Sequence, residues 1–194
     1  MKKSKVLLTL LCAVALVATS VFGTLAYLQS TDEVVNTFTV GKVVIALDEA
    51  EVDEDGVVIS EERVKENAYK LMPGHEYTKD PIVYVDADSE SCYVFVKVVN
   101  GIVAIEDASN TIAAQIAANE WIPLEGVANV FYQEYEKNQE DKKLEVFESF
   151  KVAGSVTNDG IEDYLDSEIT INAYAIQVDG FEGDVNAAWA VFAQ

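Results

Sequence analysis

Residues 91–99, with the sequence SCYVFVKVV, constrain the fold of this chain more than any other segment. Their β-branched and aromatic side chains are those that fit a pleated sheet. Because side chains alternate along a strand, one face would be wholly apolar and belong in the core; it would consist of Cys92, Val94, Val96 and Val98. The opposite face carries one lysine and two aromatic residues, as expected where a sheet is partly covered or near its edge. We therefore expect a core built around a β-sheet.

Further segments share this strand composition and are separated by polar or acidic turns. They are residues 40–47, 57–59, 81–85, 127–135, 144–152 and 168–178. Short connections predict two antiparallel hairpins, one joining 81–85 to 91–99 and one joining 127–135 to 144–152. The sequence Asn158-Asp159-Gly160 predicts a turn before the last strand.

Helical patterns occur at three places. Residues 107–119 are rich in alanine, can be capped by Ser109 or Asn110, and place Ile112 and Ile116 on one stripe. The polar residues 60–67 could form a turn or two of helix capped by Ser60. Near the C-terminus, Asp184 is expected to cap a short helix with an apolar face, formed by Val185, Ala188, Trp189 and Phe192.

Together these segments predict a mainly β chain: an antiparallel β-sandwich with one inserted helix and a short C-terminal helix. We find no internal repeat and no flexible linker. Residues 27–194 are therefore expected to form a single domain, preceded by a signal helix over residues 1–26.

The first 26 residues have the pattern of a secretory signal. Three lysines precede an apolar run at residues 6–18, and the small residues Thr24 and Ala26 then suit signal peptidase. We expect cleavage between Ala26 and Tyr27, which predicts export. The alternative is an uncleaved anchor, since residues 6–28 are long enough to span a bilayer.

Charge excludes several classes of partner. The full chain carries 34 acidic and 13 basic residues, for a net charge of −21. Removal of the leader takes away three lysines, which leaves a formal charge of 10 − 34 = −24. Such a chain would be repelled by nucleic acid and by anionic membrane surfaces. Only Cys92 would remain, so no internal disulfide is expected, and its apolar strand favours a buried, inert thiol.

The inventory of reactive groups argues against an enzyme. The single histidine, His75, is followed by Glu76, but position 79 is Lys79, so the H-E-x-x-H pattern of zinc proteases is not met. Nucleophilic triads would also need this one histidine. No phosphate-binding glycine motif is present. No cofactor is expected, although the acidic turns 53–56 and 86–90 leave calcium open as an alternative to simple solvated loops.

Residues 26–49 read AYLQSTDEVVNTFTVGKVVIALDE directly after the leader, and this stretch resembles the TasA/camelysin family of exported Gram-positive proteins. Asn36, Phe38 and Gly41 match the N-x-F-x-x-G pattern of that family. Residues 69–81, 91–98 and 169–181 resemble related clostridial proteins of the same exported class. The resemblance implies a dedicated ER-type signal peptidase, a jelly-roll version of the sandwich, and polymerisation by donation of an N-terminal strand.

By this resemblance, residues 27–39 would be the donor strand, anchored by Val34, Val35 and Phe38. The expected function is a secreted structural protein, a surface or biofilm-matrix subunit that forms filaments. Its partners would be copies of itself or related matrix subunits, with signal peptidase during export and the membrane only through the leader. A camelysin-like cell-surface metalloprotease and a monomeric surface binding module are the alternatives.

Overall fold

The computed structural model describes residues 41–139, 143–181 and 183–193, which belong to one compact unit, Val40–Gln194. This part of the chain is mainly β, with antiparallel sheets and three short helices. The strands are β1 (Ile45–Val52), β2 (Val58–Val64), β3 (Glu76–Thr78), β4 (Ile82–Val85), β5 (Cys92–Asn100), β6 (Ile122–Pro123), β7 (Val130–Tyr135), β8 (Lys143–Glu145), β9 (Ser149–Lys151) and β10 (Ile169–Gln177). The helices are α1 (Ile112–Ala118), α2 (Asn158–Glu162) and α3 (Val185–Ala190).

The strands form two four-stranded sheets and one small pair. The first sheet has the order β2-β1-β4-β8 and the second the order β10-β5-β7-β6, while β3 pairs with β9. Every pair is antiparallel. One buried apolar cluster contains β4 residues of the first sheet and β5 residues of the second, together with Ile112 and Ile116 of α1.

Strand β5 lies between β10 and β7 in the second sheet. It pairs over its whole length with β10, from Cys92 opposite Gln177 to Asn100 opposite Ile169. The predicted core face is confirmed, because Cys92, Val94 and Val96 are fully buried. The other face is also covered at its start, since Tyr93 and Phe95 are buried in a second apolar cluster that includes Trp189 of α3.

Helix α3 docks as the C-terminal pattern predicts. The carboxylate of Asp184 accepts a hydrogen bond from the Ala187 amide at 2.9 Å and caps the helix. Ala188 and Trp189 are buried. The Trp189 ring lies edge-on to Tyr174 of β10, with ring centroids 5.3 Å apart. The helix therefore covers the outer face of the second sheet.

Helix α1 confirms the buried stripe of Ile112 and Ile116 but begins later than predicted. Its N-cap is Thr111, whose hydroxyl accepts from the Ala114 amide, and neither Ser109 nor Asn110 has this role. Asp107 is the reason for the difference. Its carboxylate accepts from both the amide and the hydroxyl of Ser109, which holds that residue in a turn before the helix.

The structure corrects two local predictions. The polar segment 60–67 is not helical, since β2 extends to Val64 and pairs with β1. Ser60 donates to Glu51 and Arg63 to Asp48, so its polar side chains bind the neighbouring strand. The turn predicted at Asn158-Asp159-Gly160 is the start of α2, which Thr157 caps.

Both predicted hairpins are wrong. Strand β4 pairs with β1 and β8, whereas β5 pairs with β10 and β7, so the connection at residues 86–91 crosses from one sheet to the other. The predicted strand 144–152 is divided into β8 and β9, which lie in different sheets. Buried Val146 and Phe147 separate these two strands. The leader, the Ala26–Tyr27 cleavage site, and Val34, Val35 and Phe38 all lie outside the described residues.

Candidate functional site

Strand β10 spans nine residues, and one of its two edges is unpaired within the described part of the chain. It is the end strand of its sheet, and no described strand pairs with its second edge. Both of its faces are nevertheless partly covered. Ile169, Ile171, Ala173 and Ala175 pack against the main core, while Tyr174 and Ile176 pack against the cluster around α3. Among the described residues, this edge therefore has no paired strand and lies at the border of an apolar core.

A cleft of about 620 Å³ opens beside the first residues of this edge. We call it the β1–β10 cleft. One wall is formed by residues 47–49 of β1 and by residues 64–69, and the other by residues 164–171. Its apolar lining comes from both four-stranded sheets, from β9 and from connecting segments, and it includes Leu47, Leu71, Ile102, Phe150, Ile169 and Ile171.

The β1 wall also has an incompletely paired edge. Residues 45–48 of β1 pair with β4, and pairing with β2 begins only at Glu49, which lies opposite Val64. Beyond that pair the chain leaves β1, and no described strand continues beside residues 45–48 on the β2 side. Lys65, the first residue after β2, donates from its ammonium to the carbonyl of Leu47.

A buried ion pair stiffens the cleft wall. The ammonium of Lys79 donates to the Glu49 carboxylate at 2.6 Å, and Asn67 donates to the other oxygen of Glu49 at 2.8 Å. The same ammonium lies 5.9 Å from the centre of the Tyr69 ring. Burial and the nearby Glu49 charge raise the pKa of Tyr69, so its hydroxyl stays neutral at physiological pH.

Arg63 fixes the strands beside this wall. Its guanidinium donates to Asp48 and to Asp80, each at 2.7 Å, and to the carbonyl oxygens of the same two residues. Such charge-assisted contacts from a planar fork are among the stronger polar interactions in proteins. They tie β2 to β1 and to the segment that leads into β4.

The residues tested for zinc-protease chemistry are each engaged in structural contacts. His75 lies in the turn before β3, with Nε2 2.9 Å from the carbonyl oxygen of Asp55 and its ring 4.6 Å from that of Tyr77. Glu76 accepts from the Ser149 hydroxyl, and Lys79 binds Glu49. The structure therefore directs these side chains to three different partners.

The acidic turns considered for calcium are organised by backbone amides and lysines. Asp53 accepts from the amides of Asp55 and Val57, and Asp86 accepts from that of Asp88. Lys42 lies within 3.7 Å of Asp86 and 3.6 Å of Asp88. Within the described ranges, no group of three or more His, Cys, Asp or Glu residues is arranged to hold a metal ion.

Cys92 is buried as predicted, with no exposed surface. Burial raises the pKa of its thiol to about 11, which keeps the thiol protonated at physiological pH. The inert character expected from its apolar strand therefore has a physical cause.

Comparisons with known proteins found no match: no family model, no curated protein and no solved structure matches the chain. In the part of the chain that the structure describes, no helix has the length and apolar character needed to cross a membrane.

Sequence reasoning did not find the β1–β10 cleft. Its walls come from residues 47–49, 64–71 and 164–171, which are far apart in the chain. No local sequence pattern connects these three ranges.

Proposed function

We propose that this chain is a non-enzymatic, exported structural protein that assembles outside the cell by accepting a strand from a second copy along β10. The observation that carries the proposal is the edge of β10 beside the β1–β10 cleft, with which no described strand pairs. An open edge of nine residues is a template for strand addition. Strand addition draws affinity from main-chain hydrogen bonds and specificity from pockets for alternate side chains.

The proposed donor is segment 27–39 of the neighbouring copy. Its apolar residues Val34, Val35 and Phe38 would enter the apolar part of the cleft. The 13 residues of this segment span roughly 43 Å when extended, which exceeds the roughly 30 Å of nine residues in β10. The resemblance of residues 26–49 to the TasA/camelysin family supports this assignment, as does the leader that precedes them.

We further propose that the two four-stranded sheets form a β-sandwich of the jelly-roll kind. The buried cluster that contains β4 and β5 residues supports this arrangement, because the two strands belong to different sheets. A sandwich leaves edge strands that must be covered or used. Strand β10 would be the edge used in assembly.

Charge would control when assembly occurs. The formal charge of −24 in the chain without its leader opposes association through self-repulsion. Salt shortens the range of this repulsion to about 8 Å at physiological ionic strength. Acidic pH reduces it by protonating carboxylates. We expect assembly to become faster as ionic strength rises and as pH falls towards 5.

The experiment compares three purified forms by electron microscopy and light scattering: the chain from Tyr27, the chain from Val40, and the chain from Tyr27 with Val34, Val35 and Phe38 changed to serine. Only the first should form filaments. The serine form is the matched control, because it keeps length and charge while removing the apolar anchors. If the shortened chain makes the same filaments, the donor assignment is wrong.

Two further measurements address the alternatives. Monomers at every concentration, salt and pH would favour a monomeric surface binding module. A chelator-sensitive cleavage of casein that disappears in His75→Ala would establish a metalloprotease and overturn the non-enzymatic assignment. The N-terminal residue of the secreted form tests the predicted cut before Tyr27.

A further inference from the structure

We infer that Lys65 limits strand addition at the β1 side of the β1–β10 cleft, because its ammonium occupies the carbonyl of Leu47, a backbone acceptor that a strand pairing with β1 as well as β10 would use. This inference rests on the proposed function, since it concerns the same strand-accepting site. It adds a second edge to that site, on β1, and names the residue that controls access to it.

The position of Lys65 carries the inference. Pairing between β1 and β2 ends at Glu49 and Val64, and Lys65 is the next residue. Its ammonium donates to the carbonyl of Leu47, in the half of β1 that pairs with β4 but has no described strand on the β2 side. Both residues line the cleft. The lysine side chain thus stands where an amide of a continuing strand would donate.

Lys65 differs in its partner from four other lysines of the described residues. Lys42, Lys79, Lys137 and Lys151 each pair with a carboxylate. Lysine on an open edge is a known device against unwanted strand pairing.

An incoming strand must displace this contact before it pairs with Leu47. It must also move a charge, or leave that charge beside the apolar lining of the cleft. A strand that pairs with this part of β1 therefore gains about one hydrogen bond fewer than it would gain at an edge without the lysine. One hydrogen bond corresponds to about a three- to tenfold change in affinity.

The test uses the whole chain from Tyr27 at a dilution where it is monomeric, with a fluorescent peptide of residues 27–39 as the probe. Four forms are compared: wild type, Lys65→Met, Lys65→Arg and Lys70→Met. Lys70 is an exposed lysine nearby in the chain, so its variant matches the change in net charge. Lys65→Arg keeps donors that can reach the carbonyl.

We expect Lys65→Met to bind the peptide about three- to tenfold more tightly than wild type, while Lys65→Arg and Lys70→Met stay within about twofold of it. Equal affinities for Lys65→Met and Lys70→Met, including no binding by either, overturn the inference. If wild type binds the peptide and forms filaments while these variants do not differ, the role inferred for Lys65 is wrong and the proposed function is retained. If Lys65→Met binds the peptide more tightly but no form makes filaments, the proposed function is wrong and the role inferred for Lys65 is retained.

Discussion

The ammonium of Lys79 and the carboxylate of Glu49 lie 2.6 Å apart, and both side chains are more than nine-tenths buried. Removing one partner from such a pair leaves an uncompensated charge in the interior. We predict that Lys79→Met lowers the free energy of unfolding by about 3–5 kcal/mol, measured by chemical denaturation. The double variant Lys79→Met with Glu49→Leu should lose less than Lys79→Met alone. A single variant as stable as wild type would show that the pair contributes nothing.

Arg63 joins two carboxylates and two carbonyls, a geometry that lysine cannot reproduce. We predict that Arg63→Lys lowers the free energy of unfolding by about 1–3 kcal/mol and increases amide exchange in β2. Lys42→Met is the control. Lys42 contacts Asp86 and Asp88 at an exposed position, so its loss should cost about 0–1 kcal/mol. Equal losses for the two variants would contradict the role assigned to the guanidinium fork.

Gly56 and Gly126 have nearly the same backbone conformation but different surroundings. Their φ angles are +76° and +77°, so an alanine is strained at either site, by about 1–2 kcal/mol. At Gly56 an added Cβ would also lie 2.7 Å from the Cα of Tyr77, whereas at Gly126 it would meet nothing within 4 Å. We predict that Gly56→Ala is the more destabilising variant by at least about 1 kcal/mol, in thermal or chemical unfolding. Similar losses would mean that the turn moves away from Tyr77.

The thiol of Cys92 provides a test of burial through pH. Its pKa in the folded chain is raised to about 11 from the ordinary value of 9.0, because burial disfavours the thiolate. The folded form therefore holds the proton more tightly, and this contribution to stability is complete below pH 9 and is lost as pH rises through about 11. We predict slow labelling by a thiol reagent at pH 8 in the native protein and fast labelling in denaturant. Rapid native labelling would show that β5 is accessible.

Several elements could be predicted from the sequence because their signal is local. Alternation along 91–99 identified the core face of β5, and the capping pattern at Asp184 identified α3. The predicted strand 57–59 overlaps the start of β2. The rest of β2 was missed because its polar residues 60–63 resemble a capped helix, and their hydrogen bonds to β1 decide their conformation. Local preference is weak where neighbouring strands supply the partners.

Pairing between strands could not be predicted in the same way. Strands β4 and β5 are neighbours in sequence, yet each pairs with partners from elsewhere in the chain. A short connection is compatible with a hairpin or with a crossing between sheets, and the buried Ser89, which donates to the carbonyl of Val44, belongs to the crossing. The β1–β10 cleft depends on these pairings, so no local pattern could indicate it.

We propose that the edge of β10 with which no described strand pairs receives a strand on assembly. Hydrogen exchange followed by mass spectrometry, on the peptide that covers residues 169–177, tests this most directly in monomers and in filaments of the chain from Tyr27. We expect amides of this peptide to become protected in filaments, whereas the exposed residues 53–55 of the β1–β2 turn should exchange alike in both states. Filaments in which residues 169–177 exchange as fast as in the monomer would contradict it.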